Sequence, residues 1–204
     1  MELLTILWRM HFKLRAGSAA RSVIGLATLC IWLHPSLIAA AENESLESAV
    51  KAAYLSKFGL YVEWPKTAFA SPSSAINLCI AGEDPFGASL DKAVADQRIG
   101  NRPILVRRLK TVGRDSGCHI LYLGGSDRLQ TAQTIAAVHG SGVLSVSDTR
   151  LPAAPGAVIN FVIKDNRVRF DIDEEAGLQN GLTISSKLLS LALNVKRKTS
   201  EETR

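Results

Sequence analysis

Cysteine and histidine are the side chains of this sequence that most often bind metals or carry out redox chemistry. Cys79 and Cys118 each lie in or beside an apolar run, His119 directly follows the second cysteine, and His139 lies farther along. A zinc site needs about four ligands at characteristic spacing, and a redox-active pair usually forms a Cys-x-x-Cys motif. The sequence has neither arrangement. We therefore expect no metal, and we expect His119 to be a strand residue with a hydrogen-bonded ring.

A glycine-bounded loop at residues 82–87, Gly-Glu-Asp-Pro-Phe-Gly, follows an apolar run, as phosphate-binding loops do. It lacks the Gly-Lys-Ser/Thr of such loops, and Glu83 and Asp84 would repel an anion at the start of a helix. Gly-Ser-Gly at 140–142 comes after a helix and before a strand, which reverses the dinucleotide-binding order. The sequence also lacks a Gly-x-Ser-x-Gly elbow and a His-Glu-x-x-His motif. Without these motifs, the sequence gives no indication of an enzyme or of a bound cofactor.

Basic side chains cluster within a short stretch of the chain, at Arg102, Arg107, Arg108, Lys110 and Arg114. Such a cluster could hold an anion or an acidic partner surface. It could also be the solvated end of a strand, which is the more common role of a basic run.

The first 41 residues have the pattern of a secretory signal peptide. Four basic residues and one acid precede an apolar stretch that His34 and Pro35 interrupt, and small residues follow up to Ala41. The interrupted stretch fits a cleaved signal better than a membrane span. An uncleaved anchor helix is the alternative, and translation could begin at Met10.

Residues 42–204 are then expected to form a single exported domain. The full chain has 24 basic and 19 acidic residues, and removal of the leader leaves 20 and 18, a net charge of +2. That balance gives no indication of a nucleic-acid partner.

An oxidising compartment makes Cys79 and Cys118 candidates for a disulfide. Each lies at the start of or inside a strand-like run that precedes a glycine turn, so the two runs could be parallel neighbours about 4.8 Å apart, a separation that a disulfide tolerates. The alternative is a pair of buried free thiols.

Apolar periodicity predicts an α/β fold with a mixed, mainly parallel sheet of about six strands, flanked by helices. A C-terminal antiparallel hairpin and a final packed helix complete it. The predicted strands are 76–82, 102–110, 119–124, 142–148, 157–163 and 168–173. The predicted helices are 45–62, 86–95, one that ends near His139, and 181–197.

Seven segments of the chain resemble, in the same order, successive blocks of the YfiR family. The closing GLTISSKLL, together with EWP and DPFG, makes the resemblance specific. The segments are KAAYLSKFGLYVEWP, LCIAGEDPFG, RPILVRRL, CHILYLG, GVLSVSD, NRVRFDID and GLTISSKLLSLA.

The resemblance implies a periplasmic α/β regulator that is not an enzyme. Members similar to the founding protein hold the inner-membrane diguanylate cyclase YfiN inactive, and the outer-membrane lipoprotein YfiB relieves that inhibition. Cys79 and Cys118 match one family disulfide. A second one has no counterpart because no cysteine follows Cys118, so redox control in the family need not operate here in the same way.

The final predicted helix has more apolar surface than one sheet face requires. We expect exposed apolar residues there, namely Leu178, Leu182 and Ile184, to form the partner or dimer surface, although a helix wedged among its own neighbours would show the same pattern. An alternative function is a small-ligand-binding module, with its site at the carboxyl ends of the parallel strands, after residues 82, 124 and 148.

Overall fold

An eight-stranded mixed sheet forms the centre of the fold. The computed structural model describes residues 35–125, 127–148 and 156–197 of the chain, with side chains from Leu46 onward. The chain divides into two units, residues 1–42 and residues 43–204, and the sheet belongs to the second. Residues 1–34, which are most of the predicted signal peptide, lie outside the described residues.

The helices and strands follow one another along the chain in an α/β pattern. The α-helices are α1 (Pro35–Phe58), α2 (Ala88–Val94), α3 (Arg128–Ala137), α4 (Glu174–Gln179) and α5 (Ser186–Leu191). The strands are β1 (Val62–Glu63), β2 (Ile76–Gly82), β3 (Arg98–Ile99), β4 (Arg102–Leu109), β5 (Ile120–Gly124), β6 (Leu144–Asp148), β7 (Ile159–Lys164), β8 (Arg167–Asp173), β9 (Thr183–Ile184) and β10 (Val195–Lys196). Short 3₁₀ turns occur at Gly59–Tyr61, Lys66–Ala68 and Arg114–Ser116.

The strand order of the large sheet is β10-β8-β7-β6-β5-β2-β4-β3. The five central strands of this order, β7, β6, β5, β2 and β4, are parallel to one another. The strands β3 and β8 are antiparallel to their neighbours β4 and β7. All six predicted strands occur, and the predicted α/β class with a mainly parallel sheet is confirmed. The short strands β3 and β10 extend the edges, while β1 and β9 form a separate antiparallel pair.

Helices cover both faces of the sheet because the inner strands are apolar on both sides. On one face Leu78 and Ile80 of β2 belong to a core that includes Leu55 of α1 and Leu90 of α2. On the other face the next residues along β2 belong to a second core, to which α3 contributes. The sheet is therefore enclosed between α1 and α2 on one side and α3 on the other.

The C-terminal hairpin turns at a two-residue loop between β7 and β8. Asp165 and Asn166 have φ angles of 51° and 56°, the left-handed conformation that two-residue hairpin turns require and that Asp and Asn tolerate. The turn sets β7 and β8 in register, with Phe161 opposite Phe170.

The predicted final helix at 181–197 is too long, because only Ser186–Leu191 of that segment is helical. This segment contains β9, the short helix α5 and β10. Ser185 ends the strand and caps α5 by accepting a hydrogen bond from the backbone N–H of Leu188. Ala192 is extended, and Leu193 donates its backbone N–H to the carbonyl oxygen of Phe170. Pairing with β1 and β8 thus replaces helical hydrogen bonds at both ends. The helix predicted at 45–62 also ends earlier, at Phe58.

Candidate functional site

The structure pairs Cys79 with Cys118, whose Cα atoms are 5.7 Å apart. Cys79 lies inside β2, and Cys118 lies two residues before β5, which is a parallel neighbour of β2. Both residues are buried in the core beneath α3. The bond therefore fixes the alignment of the two central strands.

His119, the residue after Cys118, is buried, and each of its ring nitrogens takes part in a hydrogen bond. Its Nδ1 accepts from the backbone N–H of Asn77 at 3.0 Å, and its Nε2 donates to the carbonyl oxygen of Ala68 at 3.0 Å. The ring stacks on Phe69 with centroids 4.7 Å apart. Burial lowers the pKa of His119 below its usual value. The side chain thus attaches the loop before β2 to the sheet, in the structural role that the sequence predicts.

The clustered arginines bind parts of their own chain. Arg102 donates to the carbonyl oxygens of Ser71 and Ser74, and Arg107 donates to that of Ser116. These side chains hold loops against the sheet, which gives the cluster a structural use.

Arg108 forms ion pairs with the two carboxylates at the start of α2. It contacts Asp84 and Asp91 at 2.7 Å each. The hydrogen bond from Arg108 lowers the pKa of the Asp91 carboxyl, and the same bond raises the pKa of the arginine. The charge of the acidic loop after β2 is therefore balanced by an arginine of the same chain.

The three residues predicted to bind a partner lie in two different environments. Leu178 is 58% exposed on α4, whereas Leu182 and Ile184 are only 1% and 8% exposed. Ile184 pairs with Val62 across the small sheet, and its side chain lies against Gly177. The expectation that Leu182 and Ile184 are exposed is wrong, because β9 turns them into the core. Leu191 of α5 is a further exposed apolar residue, at 52%.

A buried ionic cluster that the sequence reading missed joins α1 to the end of β6. The Lys51 ammonium donates to both oxygens of Asp148, at 2.7 and 2.8 Å, and also contacts Glu47. The Tyr122 hydroxyl donates to Asp148 at 2.7 Å. Burial, followed by the charge of Asp148, raises the pKa of Tyr122. The spacing of four residues between Glu47 and Lys51 is the one signal for this cluster in the sequence.

Within residues 35–125, 127–148 and 156–197, no group of three or more His, Cys, Asp or Glu side chains could hold a metal ion. No helix in the same part of the chain combines the length and apolar composition that crossing a membrane requires.

The fold and its cross-link define an α/β domain with a mainly parallel sheet and a disulfide between neighbouring central strands. A family model described as YfiR/HmsC-like matches residues 48–193. The chain belongs to the YfiR/HmsC-like family, which confirms the resemblance of the seven segments. This family is periplasmic and regulatory rather than catalytic, and it is associated with the control of diguanylate cyclases. A search of curated proteins finds no match to this chain.

Proposed function

We propose that this protein is a periplasmic repressor of an inner-membrane diguanylate cyclase. A signal peptide at residues 1–41 directs export and is cleaved, and residues 42–204 form one regulatory domain. By binding the periplasmic part of the cyclase, the domain holds the enzyme inactive and lowers cyclic di-GMP and biofilm formation. The observation that carries this proposal is the family match over residues 48–193.

Inhibition by such a domain is a matter of differential binding. A protein that binds the inactive conformation of its target more tightly than the active one shifts the population toward the inactive form. A preference of about 3 kcal/mol is enough to keep most of the cyclase inactive. No reactive group is required, because the effect comes from surface complementarity alone.

Exposed apolar side chains of the C-terminal segment support a binding role for that segment. Leu178 and Leu191 are each more than half exposed on α4 and α5. The fully buried core of a protein–protein interface is more apolar than its rim. We assign partner contact to Leu178, while the buried Leu182 and Ile184 support its position from within the core.

Two further partners belong to this proposal. An outer-membrane lipoprotein sequesters the repressor and so releases the cyclase, as in the family members that the sequence resembles. A homodimer uses the same C-terminal surface.

A co-purification experiment tests the proposed binding. Tagged mature protein is incubated with detergent-solubilised membranes from its own organism, and the captured proteins are identified by mass spectrometry. We expect a membrane protein with a diguanylate cyclase domain, and we expect Leu178→Asp to reduce its recovery strongly.

Leu129→Asp is the matched control, since Leu129 is 69% exposed on α3. It should leave recovery unchanged. Capture of no cyclase by folded wild-type protein would contradict the proposal, and equal recovery with Leu178→Asp would contradict the assignment of Leu178.

A further inference from the structure

The chain adds its next strands on opposite sides of β2, so the order of the sheet reverses between β2 and β5. β4 lies on one side of β2 and β5 on the other, and the helices that follow β2 and β5 pack on opposite faces. In open α/β sheets, ligands bind in the crevice outside the strand ends at such a point. A cleft of about 270 Å³ opens here, slightly below the range of about 300–1,000 Å³ that is typical of small-molecule sites.

Two glycines bring the strand ends together at the floor of this cleft. A Cβ atom on Gly82 would lie 2.1 Å from the carbonyl oxygen of Gly124, and one on Gly124 would lie 2.0 Å from that of Glu83. No larger residue fits at either position. The two glycines therefore allow the backbones of the two strand ends to pack directly against each other at the floor of the cleft.

The connection between β4 and β5 forms one wall of the cleft and has no α-helix that would close it. Residues 110–119 form a 3₁₀ turn at Arg114–Ser116 where a helix would otherwise lie beside α3. Leu105 of β4, which pairs with Asn77 on the same face as Cys79, is accordingly 52% exposed. One wall of the cleft is α3, and the opposite wall is formed by residues 110–112.

The chemical groups of the lining restrict the ligands that this cleft can take. Lys110 is the one charged side chain among its described lining residues, which include no carboxylate and no aromatic ring. The remaining polar side chains carry hydroxyl and amide groups: Thr111, Gln130, Thr131, Gln133 and Thr134.

A single cation matches an anion of one charge. The lack of a lining carboxylate disfavours ligands with an ammonium group, such as free amino acids. The lack of an aromatic ring removes the stacking surface that nucleobases use. A dianionic phosphate usually binds guanidinium groups or several converging backbone N–H groups, and one lysine supplies less.

We propose that this cleft binds a small monocarboxylate that has a hydroxyl or keto group and a short aliphatic chain. The Lys110 ammonium pairs with the carboxylate, and the threonine and glutamine side chains hydrogen bond to the second oxygen-bearing group. Val112, Leu123 and Ala137 contact the aliphatic chain. This binding function goes beyond the regulation of a cyclase and requires no partner protein.

The test uses the isolated mature protein, labelled with ¹⁵N, and 3-hydroxybutyrate as the probe. We expect millimolar 3-hydroxybutyrate to shift the backbone amide signals of residues 110–112, 123–124 and 130–137. We expect no such shifts from 1,3-butanediol, which lacks the carboxylate, from 3-aminobutyrate, which adds an ammonium group, or from inorganic phosphate. Lactate and 2-oxobutyrate extend the series.

Two variants locate the site. Lys110→Gln should weaken binding about tenfold by removing the charge-assisted hydrogen bond, whereas Lys92→Gln, a change at an exposed lysine on α2, should have no effect. Ala137→Trp should fill the cleft and abolish binding, whereas Ala136→Trp should not, because Ala136 lies outside the lining. Both alanines are exposed, so both variants should fold.

Absence of shifts from every carboxylate in the series would overturn the proposal, as would unchanged binding by Ala137→Trp. Because the cyclase takes no part in this experiment, a negative result leaves the proposed repressor function unaffected.

Discussion

Lys51 and Asp148 are 97 residues apart in sequence, yet the lysine Nζ lies 2.7 Å from Oδ1 of the aspartate. The lysine side chain is 4% exposed and the aspartate 16%. This ion pair attaches α1 to the carboxyl end of β6, and Tyr122 hydrogen bonds to the same carboxylate. A charge buried to this extent needs its partner.

Replacement of Lys51 by methionine should therefore destabilise the domain strongly. The variant leaves Asp148 and Glu47 without their cation, and loss of one partner of a buried pair costs about 3 kcal/mol. Urea unfolding of the mature protein measures the change. Lys57→Met on the exposed side of the same helix is the control, and equal stability of the two variants would show that the ion pair contributes little.

Reduction of the Cys79–Cys118 disulfide should lower the free energy of unfolding by about 3 to 4 kcal/mol, the chain-entropy value for a closed loop of this length. The residues are separated by 39 positions. Urea unfolding of the Cys79→Ser, Cys118→Ser double variant gives the same quantity without reductant. Repression should weaken in this variant through loss of fold. A double variant with full stability and full repression would remove the structural role of the bond.

The pH dependence of stability should report on His119. Burial lowers the pKa of its ring from the ordinary value of 6.5, and the folded state holds the neutral ring, whose Nδ1 accepts a hydrogen bond from the backbone N–H of Asn77. The unfolded chain binds a proton first as the pH falls, and stability should decrease from pH 6.5 down to the lower folded pKa. Urea titrations at several pH values measure this decrease. It should persist in His139→Gln and be reduced in His119→Gln, and an identical slope in both variants would exclude His119 as its source.

Because β2 and β5 approach each other closely, we expect a glycine-to-alanine substitution to reduce stability much more at their contact than at an open position. Gly82→Ala should destabilise the domain by about 3 kcal/mol or more, because the new Cβ would meet the backbone of Gly124 at 2.1 Å in a residue with a φ of +80°. Gly113→Ala is the control, since nothing lies within 4 Å of its Cβ position and its φ is −143°. Thermal unfolding distinguishes them. Similar melting temperatures would mean that the strands separate easily at this point.

The sequence predicts the six longer strands of this fold because each is an apolar or alternating segment bounded by glycine or polar turns, whereas the two-residue strands β1, β3, β9 and β10 are too short to show a pattern. The same rule fails for the C-terminal segment. In residues 182–191 the apolar residues fit a helical and an extended spacing equally, and tertiary pairing with β1 and β8 decides between them. Sequence periodicity contains no information about those pairing partners. For this reason it predicts Leu182 and Ile184 to be exposed, although both are buried.

The buried cluster around Lys51 was hidden for a related reason. Lysine is seldom buried, and an acid four residues earlier in a helix usually indicates an exposed pair. Lys51 can be buried because its charge pairs with the distant Asp148. The local sequence around Lys51 contains no sign of that partner. By contrast, the similar strand-turn units around Cys79 and Cys118 predict their proximity, and the structure places Cys79 in β2 and Cys118 two residues before the parallel neighbour β5.

The level of cyclic di-GMP in living cells tests the central claim most directly. It is measured in cells that lack this protein and in the same cells after complementation with the wild type or with Leu178→Asp. We predict a raised level in the deletion strain, a normal level with the wild type, and a level that stays raised with Leu178→Asp despite equal amounts of folded protein. An unchanged level in the deletion strain, with every cyclase gene expressed, would contradict the account.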